Sequence, residues 1–197
     1  FSFYLLLFIS LPVMLETPVI LKWWLGIVPG HTVAFIRYIL AISMIDSLAN
    51  PLIQAASATG RIRRYQSVVG TMLIMTLPVS YAALKLGSPA EGVFIVQLAM
   101  FCLAQLARIW MLRPLINLSL RTYLAKAALP IAYVTGVSLV VPLAIYMLMP
   151  PSVLRFAAVC AASAISVGAS VYFIGITQGE RGFLTEKARA ALKRIKR

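Results

Sequence analysis

The sequence predicts an all-α polytopic membrane protein: six transmembrane helices in one bundle, followed by a basic amphipathic tail. Three observations lead there. Of 197 residues, 61% are hydrophobic and 12% charged, against about 45–50% and 25% in an ordinary soluble domain. The mean hydropathy of +0.93 requires lipid as the main solvent. The apolar residues also fall into six continuous runs without the two-residue alternation of barrel strands. Together these exclude a soluble enzyme, a disordered segment and a disulfide scaffold.

The first run, about 1–21, is interrupted by Pro12 and Pro18 and ends at Trp23 and Trp24, residues enriched where hydrocarbon meets headgroups. Gly26 and Pro29–Gly30 then turn the chain. The second run, about 32–59, carries Arg37, Asp46, Asn50 and Pro51. The third covers about 66–87, the fourth about 91–113, the fifth about 124–149 and the sixth about 152–176, with Pro150–Pro151 between the last two. Each is long enough, at 1.5 Å per residue, to cross a core about 30 Å thick. Ala157, Ala158, Ala161, Ala162, Ala164 and Gly168 give the sixth run a small-residue surface suited to close helix packing. The first domain is therefore 1–176 and the tail 177–197. The chain begins inside an apolar run with Phe1, so we expect a fragment of a longer protein.

The net charge of +13 is informative through its placement. Arg61, Arg63 and Arg64 follow the second run; Arg108, Arg113, Arg121 and Lys126 surround the fourth-to-fifth connection. Arg181, Lys187, Arg189, Lys193, Arg194, Lys196 and Arg197 lie in the tail. The opposite connections hold only Lys22, Lys85 and Arg155. Cytoplasmic loops carry the excess of Lys and Arg, so both ends are expected in the cytoplasm. From Phe183 onward, Leu184, Ala188, Leu192 and Ile195 share a helical face among basic residues, as in helices that lie on anionic lipid. No aromatic platform accompanies this charge, so membrane lipids are the expected partner and nucleic acid is not.

Polar groups at membrane depth are expensive and mark cavities or helix contacts. Ser43, Asp46, Ser47, Asn50, Gln54 and Ser57 recur at spacings of three, one, three, four and three, which makes one polar stripe down the second helix. Asp46 lies near mid-membrane, where a carboxylate must take up a proton or find a cation. It is the candidate ion-coupling residue, with helix packing as the alternative. Arg37 sits half a turn away and nearer the outer end, where it can snorkel to headgroups or bind an anionic group in a cavity. Pro51 removes a backbone hydrogen bond beside Asn50, a candidate kink and gating point. In the fourth run Gln97, Phe101, Gln105 and Arg108 share a face, and the two amides either tie helices together or line the cavity. Glu16, between two prolines, belongs at the outer rim.

His31 is the only histidine, and Cys102 and Cys160 lie in separate apolar runs, so neither a metal cluster nor a His-based triad is expected. Nothing matches a phosphate-binding G-x-x-x-x-G-K-[ST] loop, and no cofactor is expected. With no large polar loop to carry a catalytic site, an enzyme is disfavoured.

Two motifs in order are familiar. Thr17-Pro18-Val19-Ile20-Leu21 followed by Trp24-Leu25-Gly26-Ile27-Val28-Pro29 resembles the seventh helix and outer loop of bacterial polysaccharide and O-antigen flippases. Gln54-Ala55, Ala58-Thr59-Gly60-Arg61-Ile62-Arg63 and Tyr65-Gln66 resemble the end of their eighth helix and the loop after it. The specific likeness covers residues 17–66; beyond it the helix count and basic tail agree. The family belongs to the multidrug/oligosaccharidyl-lipid/polysaccharide exporter superfamily. The resemblance implies the C-terminal six-helix half of a two-bundle transporter in the bacterial inner membrane. Its implied activity is to flip an undecaprenyl-diphosphate-linked oligosaccharide during lipopolysaccharide or capsule synthesis. Implied partners are the missing N-terminal half and a polysaccharide polymerase or assembly protein. Arg37, Ser43, Asp46, Ser47, Asn50, Gln54, Gln97 and Gln105 are the candidate cavity residues. The alternatives are a cation-coupled multidrug exporter of the same superfamily and a non-transporting membrane subunit of an assembly complex.

Overall fold

The computed structural model describes residues 2–60, 62–115, 119–123, 125 and 128–175. Six helical segments of 20 to 27 residues are long and apolar enough to cross a membrane, and no strand occurs among the described residues. They are α1 (Ser2–Leu25), α2 with α3 (Thr32–Ser47, Ala49–Ala58), α4 with α5 (Ile62–Ile74, Thr76–Lys85), α6 (Glu91–Leu115), α8 (Leu129–Leu148) and α9 (Val153–Ser170). A short helix α7 (Leu120–Tyr123) precedes α8, and a π turn at Val171–Gly175 extends α9. The expected amphipathic tail, 177–197, lies outside the described residues, as do Arg61 and Lys126.

Proline explains the interruptions. Pro51 and Pro78 each lack the N–H that would bond the carbonyl four residues back, and their rings push that carbonyl aside. Both helices break three residues before the proline, at Leu48 and Met75. In α1 the disturbance falls two residues before Pro18, where Glu16 has φ −97° and ψ 18°. Pro142, by contrast, leaves α8 continuous, and Pro130 sits in its first turn, where no N–H is needed. Gly60 and Gly87, at φ +69° and +87°, end the second and third spans in the left-handed conformation that glycine adopts without a Cβ clash. After Pro150–Pro151, Ser152 caps α9 by accepting the Arg155 N–H at 3.1 Å.

The spans pack as two three-helix units. In the first, Phe3, Leu7 and Leu11 of α1 meet Val134 of α8 and Val167 of α9 in one core. Fully buried residues recur every fourth position on both partners: Val134, Ser138 and Pro142 on α8, and Val159, Ser163 and Val167 on α9. The helices are antiparallel, and Val134 against Val167 and Tyr146 against Arg155 fix one register between them. Of the small residues expected to make the packing surface, Ala157, Ala161 and Gly168 are exposed and Ala158, Ala162 and Ala164 are half-buried. The four-residue recurrence of Arg155, Val159, Ser163 and Val167 selects the opposite face of α9.

The second unit joins spans two to four around Leu52, Ala56, Tyr65, Val69, Ala104, Ile109 and Leu112. The units meet where α1 packs on α2. Large apolar side chains lie on the outside, among them Trp24 at 79% and Trp110 at 75% exposure.

Candidate polar cleft and charged pairs

The stripe of the second span stays open. Ser43, Asp46, Asn50, Gln54 and Ser57 are exposed and Ser47 is half-buried. Its lower part lines a cleft of about 430 Å³ at the end of the bundle that carries Arg63, Arg64, Arg113 and Arg121. Ser47, Asn50, Pro51 and Gln54 form one wall, and the start of α1 (Ser2, Phe3 and Tyr4), Tyr123 and Ile131 form the rest. The break at Leu48 falls within this wall, which Pro51 also lines. Burial pushes the Tyr123 phenol up, with the Gln105 amide partly offsetting this. At neutral pH Tyr123 is therefore a neutral hydrogen-bonding group, and the described part of the cleft carries hydroxyls and amides without a charge.

Arg37 is accounted for by the backbone. Pro18 leaves the Met14 carbonyl without its helical donor, and Arg37 Nε donates to that oxygen at 2.9 Å. Its Nη2 reaches the Leu15 carbonyl at 3.5 Å, and the Thr17 hydroxyl also donates to Val13 and Met14. The arginine ties the kinked turn of α1 to α2 and does not line the cleft. Gln97 is half-buried on α6. Gln105 is buried rather than open, and its Oε1 accepts from Arg108 Nη1 at 3.3 Å.

Two ion pairs cross between spans, and neither follows from the spacing in sequence. Arg108 Nη1 lies 3.8 Å from Asp46 Oδ1, with the arginine side chain 5% exposed and the aspartate 53%. Equal depth is the signal that could have found this pair. Asp46 lies fourteen residues from the start of α2 and Arg108 seventeen from the start of α6, both starts being at the same end. The second pair is tighter. Arg155 Nε and Nη2 donate to the two Glu16 oxygens at 2.9 and 3.0 Å, and the guanidinium lies 4.6 Å from the centre of the Tyr146 ring. Glu16 is fully buried, so the rim position expected for it does not hold. With its helix kinked at Glu16 itself, the carboxylate points inward to α9. A third contact, His31 Nδ1 with Glu91 Oε1, joins the α1–α2 loop to the start of α6.

No group of three or more potential metal ligands occurs among the described residues. Comparison with protein-family models, with curated proteins and with solved structures returned no match.

Proposed function

We propose that this chain is the C-terminal bundle of a flippase that moves a lipid-linked oligosaccharide of the undecaprenyl-diphosphate type across the bacterial inner membrane. The observation that carries the proposal is the open polar stripe of the second span, continuous with a cleft of about 430 Å³ in which hydroxyls and amides stand among Phe3, Leu48, Pro51 and Ile131. A sugar head group crossing hydrocarbon would leave its hydroxyls without partners, at several kcal/mol each by an order-of-magnitude reckoning. Ser47, Asn50, Gln54 and Tyr123 supply donors and acceptors for such groups while the lipid tail stays outside. The motifs around Thr17–Pro29 and Gln54–Gln66 support the same reading. A subunit that merely anchors an assembly is expected to have this stripe sealed against helices; within this chain five of its six residues are exposed.

The test uses the full-length protein in its own cells. Asn50→Ala with Gln54→Ala should leave the membrane level unchanged, lower surface polysaccharide about tenfold, and let the lipid-linked precursor accumulate, the loss corresponding to about 1.4 kcal/mol of barrier. Normal export at normal protein level would overturn the reading.

A further inference from the structure

The two intramembrane carboxylates meet arginines in contrasting ways. Glu16 and Arg155 are both buried and joined by two hydrogen bonds. Asp46 and Arg108 touch at 3.8 Å, without a hydrogen bond between them, and the aspartate is half open while the arginine is almost fully enclosed. Besides Asp46, Arg108 is held by Gln105 and faces the Tyr65 phenol. Gln105 takes one of its N–H groups, and its buried Nε has no hydrogen-bond partner among the described residues. Tyr65 is the other titratable group beside it. On α1, Glu16 is committed to Arg155, and Arg37 of α2 itself is committed to the Met14 carbonyl. Arg108 is thus the one cation on hand for Asp46 among the described residues.

We propose that Arg108 is the resident counter-cation of Asp46, and that a monovalent cation binds Asp46 by displacing it. The carboxylate is approached from its exposed side, so the entering ion need not pass Arg108. Once the ion is seated, the guanidinium loses its only anionic partner in a buried place, which favours movement of α6 relative to α2. The ion's charge is thereby converted into a helix displacement. This rests on the transport reading above, with Asp46 as its candidate ion-coupling residue. Arg108 is a positioning residue here, since it acts through the carboxylate.

The test is the thermal-unfolding midpoint of the purified full-length protein, titrated with sodium chloride against choline chloride at constant ionic strength, and separately with pH. A ligand that binds the folded state raises the midpoint. Wild type should respond to one of the two titrations, which tells sodium from the proton, and Asp46→Asn should abolish that response. Arg108→Gln removes the competitor, so the cation concentration at half effect should fall about tenfold or more, because the competent fraction is no longer reduced by the closed pair. Arg108→Lys retains a cation and should stay within about threefold of wild type, a spread within the ordinary context dependence of charge pairs. It is also the variant to use should Arg108→Gln not fold, and a response in it as strong and as cation-sensitive as with no competitor would count against displacement. An equal half-effect concentration in wild type and Arg108→Gln overturns the counter-cation role, as does a wild type without any Asp46-dependent response. Polysaccharide export is read separately: a cation response lost in Asp46→Asn with export unchanged keeps the site and sinks its place in transport.

Discussion

At the scale of single residues, the Glu16–Arg155 pair shows how a charge is carried inside a helix bundle. Both Glu16 oxygens are engaged, and the guanidinium rests beside the Tyr146 ring. Removing one partner strands the other, at a cost of about 3–5 kcal/mol for buried pairs, whereas replacing both by apolar residues is often nearly neutral. Glu16→Ala should therefore lower the denaturant-induced unfolding free energy by about that amount. Glu16→Leu with Arg155→Met should recover most of it, and Arg155→Lys alone should itself destabilise, because an ammonium cannot make the paired contact. This pair was not legible in the sequence. Its members are 139 positions apart, and periodicity within a helix says nothing of which neighbour it faces. Arg37 was half legible: its depth followed from counting, but its duty depends on a carbonyl freed by Pro18 on another helix.

Among the elements, local chemistry was easier to read. The six spans, the turn at Gly26–Gly30 and the stop at Pro150–Pro151 follow from composition and breakers, and the structure ends helices close to those positions. The break in the second span was legible from Pro51, though it falls at Leu48, because the carbonyl that loses its donor lies four residues upstream. The faces were harder. Small residues on α9 read as a contact, yet packing follows the fourfold recurrence of Val159, Ser163 and Val167. Pro51→Ala restores the missing donor, so hydrogen exchange across 47–51 should slow by about tenfold or more, each factor of ten corresponding to about 1.4 kcal/mol of local opening. Pro142→Ala should change exchange far less, since α8 is already continuous. Equal slowing in both variants would show that the break at Leu48 has another cause.

For the whole molecule, the division into spans one, five and six against spans two, three and four leaves the cleft between units at the basic end. The sequence determines which end is basic but not that such a division exists, because units assembled from the two ends of a chain leave no local trace. The charge asymmetry predicts that the cleft end faces the cytoplasm. With Cys102 and Cys160 replaced, a cysteine placed at exposed Ala90 should react with an impermeant thiol reagent from outside, and one at Ser119 should not; reversed labelling would invert the topology. The partnership of α1 with the final hairpin also bears on biosynthesis. Glu16 enters the bilayer while the codons for Arg155 are still unread, so throughout translation the first helix holds an acid whose mate has not yet been made. The unit of α1, α8 and α9 closes only when the α8–α9 hairpin arrives. A chain that stalls before α9 therefore carries Glu16 without the arginine that holds both its oxygens in the folded bundle.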